Sequence, residues 1–163
     1  LPFVDENRKE TLYWRDIGTI DSYHEASMDL ISLDPVFNLY DREWPLRTMP
    51  RQLPPAKTVW AEGERRGEIL NSLVCAGVVV SGGSVARSIL SPEVRVNSWA
   101  NVTDSVLMDG VQVGRHARIH RAIIDKGVEV PAGFVVGQNL EEDRKRYAVS
   151  DGGIVVIPRG MKL

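Results

Sequence analysis

A single cysteine, Cys75, stands in the 163 residues, so no disulfide can close within them and a small bridge-held secreted scaffold is excluded. That usage fits a reducing compartment, and the expected location is the cytoplasm. No apolar run approaches the roughly 18 residues that a membrane-spanning helix needs. Residues 1–10 mix charged with apolar side chains, unlike a signal peptide. Neither charge sign dominates, because 20 Lys and Arg face 22 Asp and Glu for a formal net charge of −2. Nucleic-acid binding draws on a basic surface that displaces counterions, so no nucleic-acid partner is expected. Aromatic residues are only 7% of the chain. Leu1 stands where a methionine would open a gene product, and the aromatic run Tyr13-Trp14-Arg15-Asp16 follows soon after, so the sequence reads as the middle of a longer chain.

What the sequence has in abundance is a repeat. Blocks of 17 residues begin at Val79, Val96, Val113 and Val130. The seventh column holds Val85, Val102, Ile119 and Val136, and the eleventh and twelfth hold Ile89-Leu90, Val106-Leu107 and Ile123-Ile124. The tenth is small (Ser88, Ser105, Ala122), and the sixteenth is Val94, Val111 and Val128. An earlier coil, Ser72-Leu73-Val74, sits 16 residues before Ser88-Ile89-Leu90, so the array is expected to start near Ser72. Aliphatic residues recur every five or six positions, which is three short strands per turn, each sending a branched side chain inward. The expected fold is mainly β, a parallel β-helix whose coils are stable only when stacked.

The flanks differ in composition. Thr19 or Gly18 can cap a helix over residues 20–33 that Pro35 ends. Pro45, Pro50, Pro54 and Pro55 disfavour both helix and central strand, so residues 41–57 read as an extended connector anchored by Trp44. Glu62, Glu64, Arg65 and Arg66 read as a solvated loop. After the array, residues 140–147 place acids before bases, the order a short helix favours. Asp151-Gly152-Gly153 reads as a turn before a last strand at Ile154-Val155-Val156-Ile157.

Several residues could carry chemistry. Asp16, just before Gly18 and a helix start, can project into a cleft and hold a divalent ion, or serve as a surface or capping aspartate. Gly82-Gly83-Ser84-Val85-Ala86-Arg87 resembles a glycine-rich nucleotide loop superficially, but Val85 belongs to an interior column, so the glycines read as corners. Arg115, His116, Arg118, His120, Arg121 and Lys126 crowd one coil and could bind an anionic effector or simply be its solvated face. His116 and His120 are the candidates for a general base if the chain were a hexapeptide acyltransferase, although no loop insertion interrupts the repeat near them.

The segments Tyr13-Trp14-Arg15-Asp16-Ile17-Gly18-Thr19, Trp44-Pro45-Leu46-Arg47-Thr48, Leu53-Pro54-Pro55-Ala56-Lys57 and Val94-Arg95-Val96-Asn97-Ser98 together resemble bacterial glucose-1-phosphate adenylyltransferase, also called ADP-glucose pyrophosphorylase. The likeness continues through Ile124-Asp125, Glu141-Glu142-Asp143 and Gly153-Ile154-Val155. It implies a Mg²⁺-dependent reaction of ATP with glucose 1-phosphate giving ADP-glucose and pyrophosphate for glycogen synthesis. It also implies a left-handed β-helix after an α/β nucleotidyltransferase domain. On that basis residues 1–40 are a strand-helix remnant of the catalytic domain, 41–71 the connector and 72–163 the β-helix with its cap. Asp16 falls where the family has one of two metal-binding aspartates. Lys126 and Arg159 fall at cationic positions of the family's effector site, with Lys162 near a third. A homo-oligomer, a tetramer, is implied as well. The alternatives are the acyltransferase and a non-catalytic β-helix scaffold.

Overall fold

A computed structural model of the chain describes residues 13–43, 45–49, 51–63 and 65–163. Trp44, Pro50 and Glu64, which enter the sequence reading, lie outside these residues, as do residues 1–12.

The 17-residue period folds into three parallel sheets that form the faces of one solenoid. The first stacks Lys57–Val59, Val79–Ser81, Arg95–Val96, Gln112–Val113 and Glu129–Val130. The second stacks Glu68–Leu70, Ser84–Ala86, Asn101–Thr103, Arg118–His120 and Val135–Val136. The third runs Leu73–Val74, Ile89–Leu90, Val106–Leu107, Ala122–Ile124 and then Val155–Ile157, with Ala148–Val149 antiparallel at its edge. Register follows the columns, with Val85 opposite Val102, Val102 opposite Ile119, and Ile119 opposite Val136.

The columns explain why this stacking is stable. Val80, Val96, Val113 and Val130 from one face meet Val85, Val102, Ile119 and Val136 from the next, and Leu90, Leu107 and Ile124 from the third; all are at most 3% exposed. Each such side chain contributes about 1.5–3 kcal/mol on leaving water. A serine spine runs beside them. Ser105 Oγ donates to Thr103 O (2.7 Å) and accepts from the Ala122 N–H (3.1 Å). Ser88 and Ser72 repeat the arrangement one and two coils earlier. The small tenth column is therefore a line of hydroxyls that satisfies buried amides from coil to coil.

Corners require left-handed backbone, and not only glycine supplies it. Arg87, Asp104 and Arg121 occupy one corner column at φ of 45°, 51° and 47°, and Trp99 and His116 share another at 61°. The strands on both sides hold these residues where glycine would otherwise be favoured. Gly83 is needed for another reason: a Cβ there would lie 2.7 Å from Asn97 O and 3.0 Å from Val96 Cγ1.

Three expectations change. The array starts before Ser72, because Lys57–Val59 pairs with Val79–Ser81 and Glu68–Leu70 with Ser84–Ala86. Residues 61–66 are not only a solvated loop, since Ala61–Glu62 pairs antiparallel with Arg65–Arg66. Helix α1 spans Ile20–Asp29, shorter than the expected stretch to residue 33, with Thr19 capping it through Ser22. The eleventh and twelfth columns, both aliphatic in the sequence, face opposite ways. Strand alternation turns Ile89, Val106 and Ile123 outward, where they pack with Ile154, Val156 and Met108 against Tyr23 and Met28 of α1. Helix α2, Leu140–Arg144, is capped by Asn139, and Val155–Ile157 then takes the third-face place of the next coil beside Ala122–Ile124. Met161 and Leu163 pack on the core.

Candidate functional site

Asp16 precedes the α1 cap in a segment, residues 13–18, that belongs to no helix or strand. Its carboxylate is exposed, and Oδ1 accepts from the Gly18 N–H at 3.0 Å. The residues beside it face α1. Arg15 Nη2 lies 2.8 Å from Asp29 Oδ2, Arg15 Nε donates to the same oxygen at 3.1 Å, and the Tyr13 hydroxyl reaches it at 3.3 Å. The Tyr13 ring also stacks on Phe37. The Asp16 segment thus rests on α1.

Helix α1 in turn rests on the third face of the β-helix. Beneath the apolar contact of Tyr23 and Met28, two polar points fasten it. Asp21 in the first turn accepts from the Ser150 hydroxyl and from the Gly152 N–H (3.0 Å). His24, 7% exposed, bonds through Nε2 to the Asp104 carbonyl at 2.8 Å; a carbonyl oxygen only accepts, so Nε2 carries the proton.

The corner that receives α1 is a network. Arg87 Nε and Nη2 both donate to the Asp104 carboxylate at 2.7 Å, a bidentate pair, and His120 Nδ1 stands 3.5 Å from Asp104 Oδ2 and 2.9 Å from Thr103 Oγ1. Arg121 Nη2 donates to Gly152 O at 2.8 Å, closing the network back onto the turn that holds Asp21. Hydrogen bonding from Arg87 keeps the Asp104 carboxyl below the usual carboxylate range, and the Ser150 and Gly152 donors do the same for Asp21. Beside this corner an open cleft of about 770 Å³ lies between Met28, Leu30 and Tyr40 on one side and Asn71, Leu73 and Arg87 on the other.

The cations of the Arg115 coil do not converge. Arg115 and His116 sit at one corner, Arg118 and His120 on the second face, Arg121 at the next corner and Lys126 at the third. His116 stacks on Trp99, with ring centroids 4.9 Å apart. Lys126 and Arg159, by contrast, are brought together. The Asp125 carboxylate accepts from the Lys126 N–H (2.6 Å) and from the Arg159 N–H (3.2 Å), and Asp125 N–H bonds Ile157 O, so both exposed cations leave one carboxylate-centred turn. Lys162 is exposed on the same tail, between Met161 and Leu163.

Asp21, His24 and Asp104 were not singled out from sequence. Asp21 reads there as a first-turn acid favoured by the helix dipole, and nothing local distinguishes His24 or Asp104. The partners of Asp21 and His24 lie 80 to 131 residues away. Among the described residues no group of three or more His, Cys, Asp or Glu side chains is arranged to hold a metal. None of their helices is long and apolar enough to cross a membrane.

Residues 54–157 match the hexapeptide family described as GlmU-like, C-terminal hexapeptide. Among curated proteins, the chain is similar to the glucose-1-phosphate adenylyltransferase of Koribacter versatilis, 55% identical over 161 residues that cover 99% of this chain and 39% of that protein. The protein of the same name from Rhodopirellula baltica is 55% identical over 98% of this chain and 37% of its own length, and that from Frankia casuarinae 56% identical over 93% and 37%. The chain therefore spans well under half the length of these relatives. The resemblance drawn from the Tyr13–Thr19 and Val94–Ser98 segments agrees with these names.

Proposed function

Since the chain belongs to the GlmU-like, C-terminal hexapeptide family, we propose that it is the β-helix portion, with the adjoining Asp16 segment, of a glucose-1-phosphate adenylyltransferase. The observation that carries this reading is the 161-residue match at 55% identity to a protein of that name, which reaches beyond residues 54–157 and takes in Asp16. The reaction is ATP plus glucose 1-phosphate to ADP-glucose plus pyrophosphate, serving glycogen synthesis in the cytoplasm. Residues 1–40 belong to the catalytic domain, 41–56 connect it, and 57–163 form the left-handed β-helix and cap that help build a homotetramer.

Asp16 fits a Mg²⁺ ion as one ligand: it is an exposed carboxylate, a hard oxygen donor, held in orientation by the Gly18 N–H. A second aspartate, in the catalytic domain, would supply another ligand. Bound Mg²⁺ supplies Lewis-acid stabilisation of the charge that develops on the phosphates. Asp16 keeps one coordination position in place, and Arg15 and Tyr13 hold its backbone against α1. Lys126, Arg159 and Lys162 contribute cations to a site for a sugar-phosphate or nucleotide effector. The 163 residues alone are inactive on this reading.

The test is Asp16→Asn in the intact enzyme, with pyrophosphate release followed against Mg²⁺. Turnover falls by about 100-fold or more, the scale of losing one transition-state charge contact. Unchanged Mg²⁺-dependent turnover rejects the assignment of Asp16.

A further inference from the structure

Two layers of contact join Asp16 to the β-helix. The segment carrying Asp16 is tied to α1 by Arg15 and Tyr13, both at Asp29. Helix α1 is tied to the solenoid by Asp21 at the Ser150–Gly152 turn and by His24 at the Asp104 carbonyl. Apolar contacts of Tyr23 and Met28 with Ile89, Val106 and Ile123 are non-directional and would allow the helix to slide or roll. The two polar points remove that freedom, because each fixes a named atom of α1 to a backbone group of the β-helix.

We infer that Asp21 and His24 are positioning residues for Asp16, setting where its carboxylate stands by pinning α1 to one corner of the β-helix. The inference rests on the adenylyltransferase reading and extends it to residues that touch neither substrate nor metal.

The receiving groups are themselves rigid. Asp104 is held by the bidentate Arg87 pair, and the Gly152 carbonyl by Arg121. Gly152 is shaped for the contact, since a Cβ there would lie 2.6 Å from Asp21 Oδ1. An alanine at this position would push Asp21 away while removing no side-chain donor or acceptor. The fit is therefore steric as well as polar. Ser150 adds a second function: its hydroxyl also accepts from the Ile154 N–H at 2.9 Å, so the turn that grips Asp21 is braced from within.

Asp21→Ala and Gly152→Ala in the intact enzyme test the inference, with Asp16→Asn beside them, by two readouts. The first is amide hydrogen exchange. Residues 20–29 exchange faster in Asp21→Ala and Gly152→Ala, while the strands of the first and second faces keep their wild-type protection. The second is the Mg²⁺ concentration for half-maximal turnover, which rises roughly two- to thirtyfold, the size of coupling that such intervening residues transmit. A purely structural role would lower the amount of active enzyme and leave that concentration unmoved. Faster exchange of α1 with an unchanged Mg²⁺ requirement in both variants, while Asp16→Asn still abolishes turnover, overturns the positioning role and leaves the adenylyltransferase reading intact. Full turnover of Asp16→Asn overturns both. If Asp21→Ala fails to fold, Gly152→Ala carries the same two criteria.

Discussion

The guanidinium carbon of Arg65 lies 3.7 Å from the ring centroid of Trp60, in the space that Gly82 leaves by having no side chain. Trp60 Nε1 bonds Ser81 Oγ, and Arg65 Nε donates to the Ser98 hydroxyl at 3.0 Å, with the Trp99 ring centroid 5.6 Å from the Arg65 guanidinium carbon. Arg65→Ala is expected to lower stability by about 0.5–2 kcal/mol, the range for a partly desolvated cation–π contact, and to change tryptophan fluorescence. Gly82→Ala should cost more, because its Cβ would lie 2.8 Å from Arg65 Cγ at φ of 69°. Equal urea midpoints for wild type and Arg65→Ala would show that the stack contributes nothing.

The serine spine makes a graded prediction. Ser105→Ala leaves Thr103 O and the Ala122 N–H without their buried partner, at a cost of about 1–3 kcal/mol. Ser72→Ala, at the more open end of the line, should cost less. Denaturant unfolding of both variants decides, and a larger loss at Ser72 than at Ser105 would contradict the ladder.

Inward and outward columns should fail differently. Leu107 is fully buried in the solenoid interior, and Leu107→Ala is expected to lose about 2–5 kcal/mol of global stability. Ile123→Ala removes contact in the outer cluster with Tyr23 and Met28, so it should loosen α1 in hydrogen exchange with a smaller global loss. Global loss at Ile123 matching that at Leu107 would mean the two clusters are one cooperative core.

Acid should release α1 before it unfolds the solenoid. The Asp21 carboxyl is held below its ordinary value of 3.8 by the Ser150 hydroxyl first, then by the Gly152 N–H and by the charges of Arg121 and His24. A group whose folded pKa is depressed stabilises the fold above its unfolded value and stops doing so as pH falls through the folded one. The docking is therefore complete at pH 6 and lost below 3.8, and the Asp104 carboxyl adds to the same trend through Arg87. Ring NMR signals of Tyr23 followed downward in pH report it. In Asp21→Asn the signals should already hold their released positions at pH 6, and wild-type positions there would refute the link.

Lys126 and Arg159 share the Asp125 turn, so their effects should be coupled. In the intact enzyme, Lys126→Ala and Arg159→Ala should each weaken the response to the sugar-phosphate or nucleotide effector that modulates the wild type. The double variant should lose less than the sum of the two. A full response in both single variants would remove these cations from the effector site.

Periodicity exposed the solenoid because a stacked coil must repeat its interior side chains at a fixed spacing, so Val85, Val102 and Ile119 had to stand in one column. Spacing could not tell which of two adjacent aliphatic residues faces inward. Leu107 is interior and Val106 exterior because strands alternate, and the outward row gains a use only when α1 arrives to cover it. The early strand Lys57–Val59 was hidden for a related reason: it stands 22 residues before its partner Val79–Ser81, since the Ala61–Arg66 hairpin intervenes and breaks the period.

The chemistry divides in the same way. The sequence by itself determined the coil period, a helix start at Gly18 or Thr19, the glycine corners and the candidacy of Asp16, because each depends on residues near one another along the chain or repeated along it. Only the tertiary structure decided that the cations around Arg115 scatter, that Lys126 and Arg159 meet at Asp125, and that Asp21 and His24 dock α1. The docking and tail hydrogen bonds join residues 34 to 131 positions apart, and hydrogen bonds across such separations follow from how faces and corners come together in space, which no local pattern records.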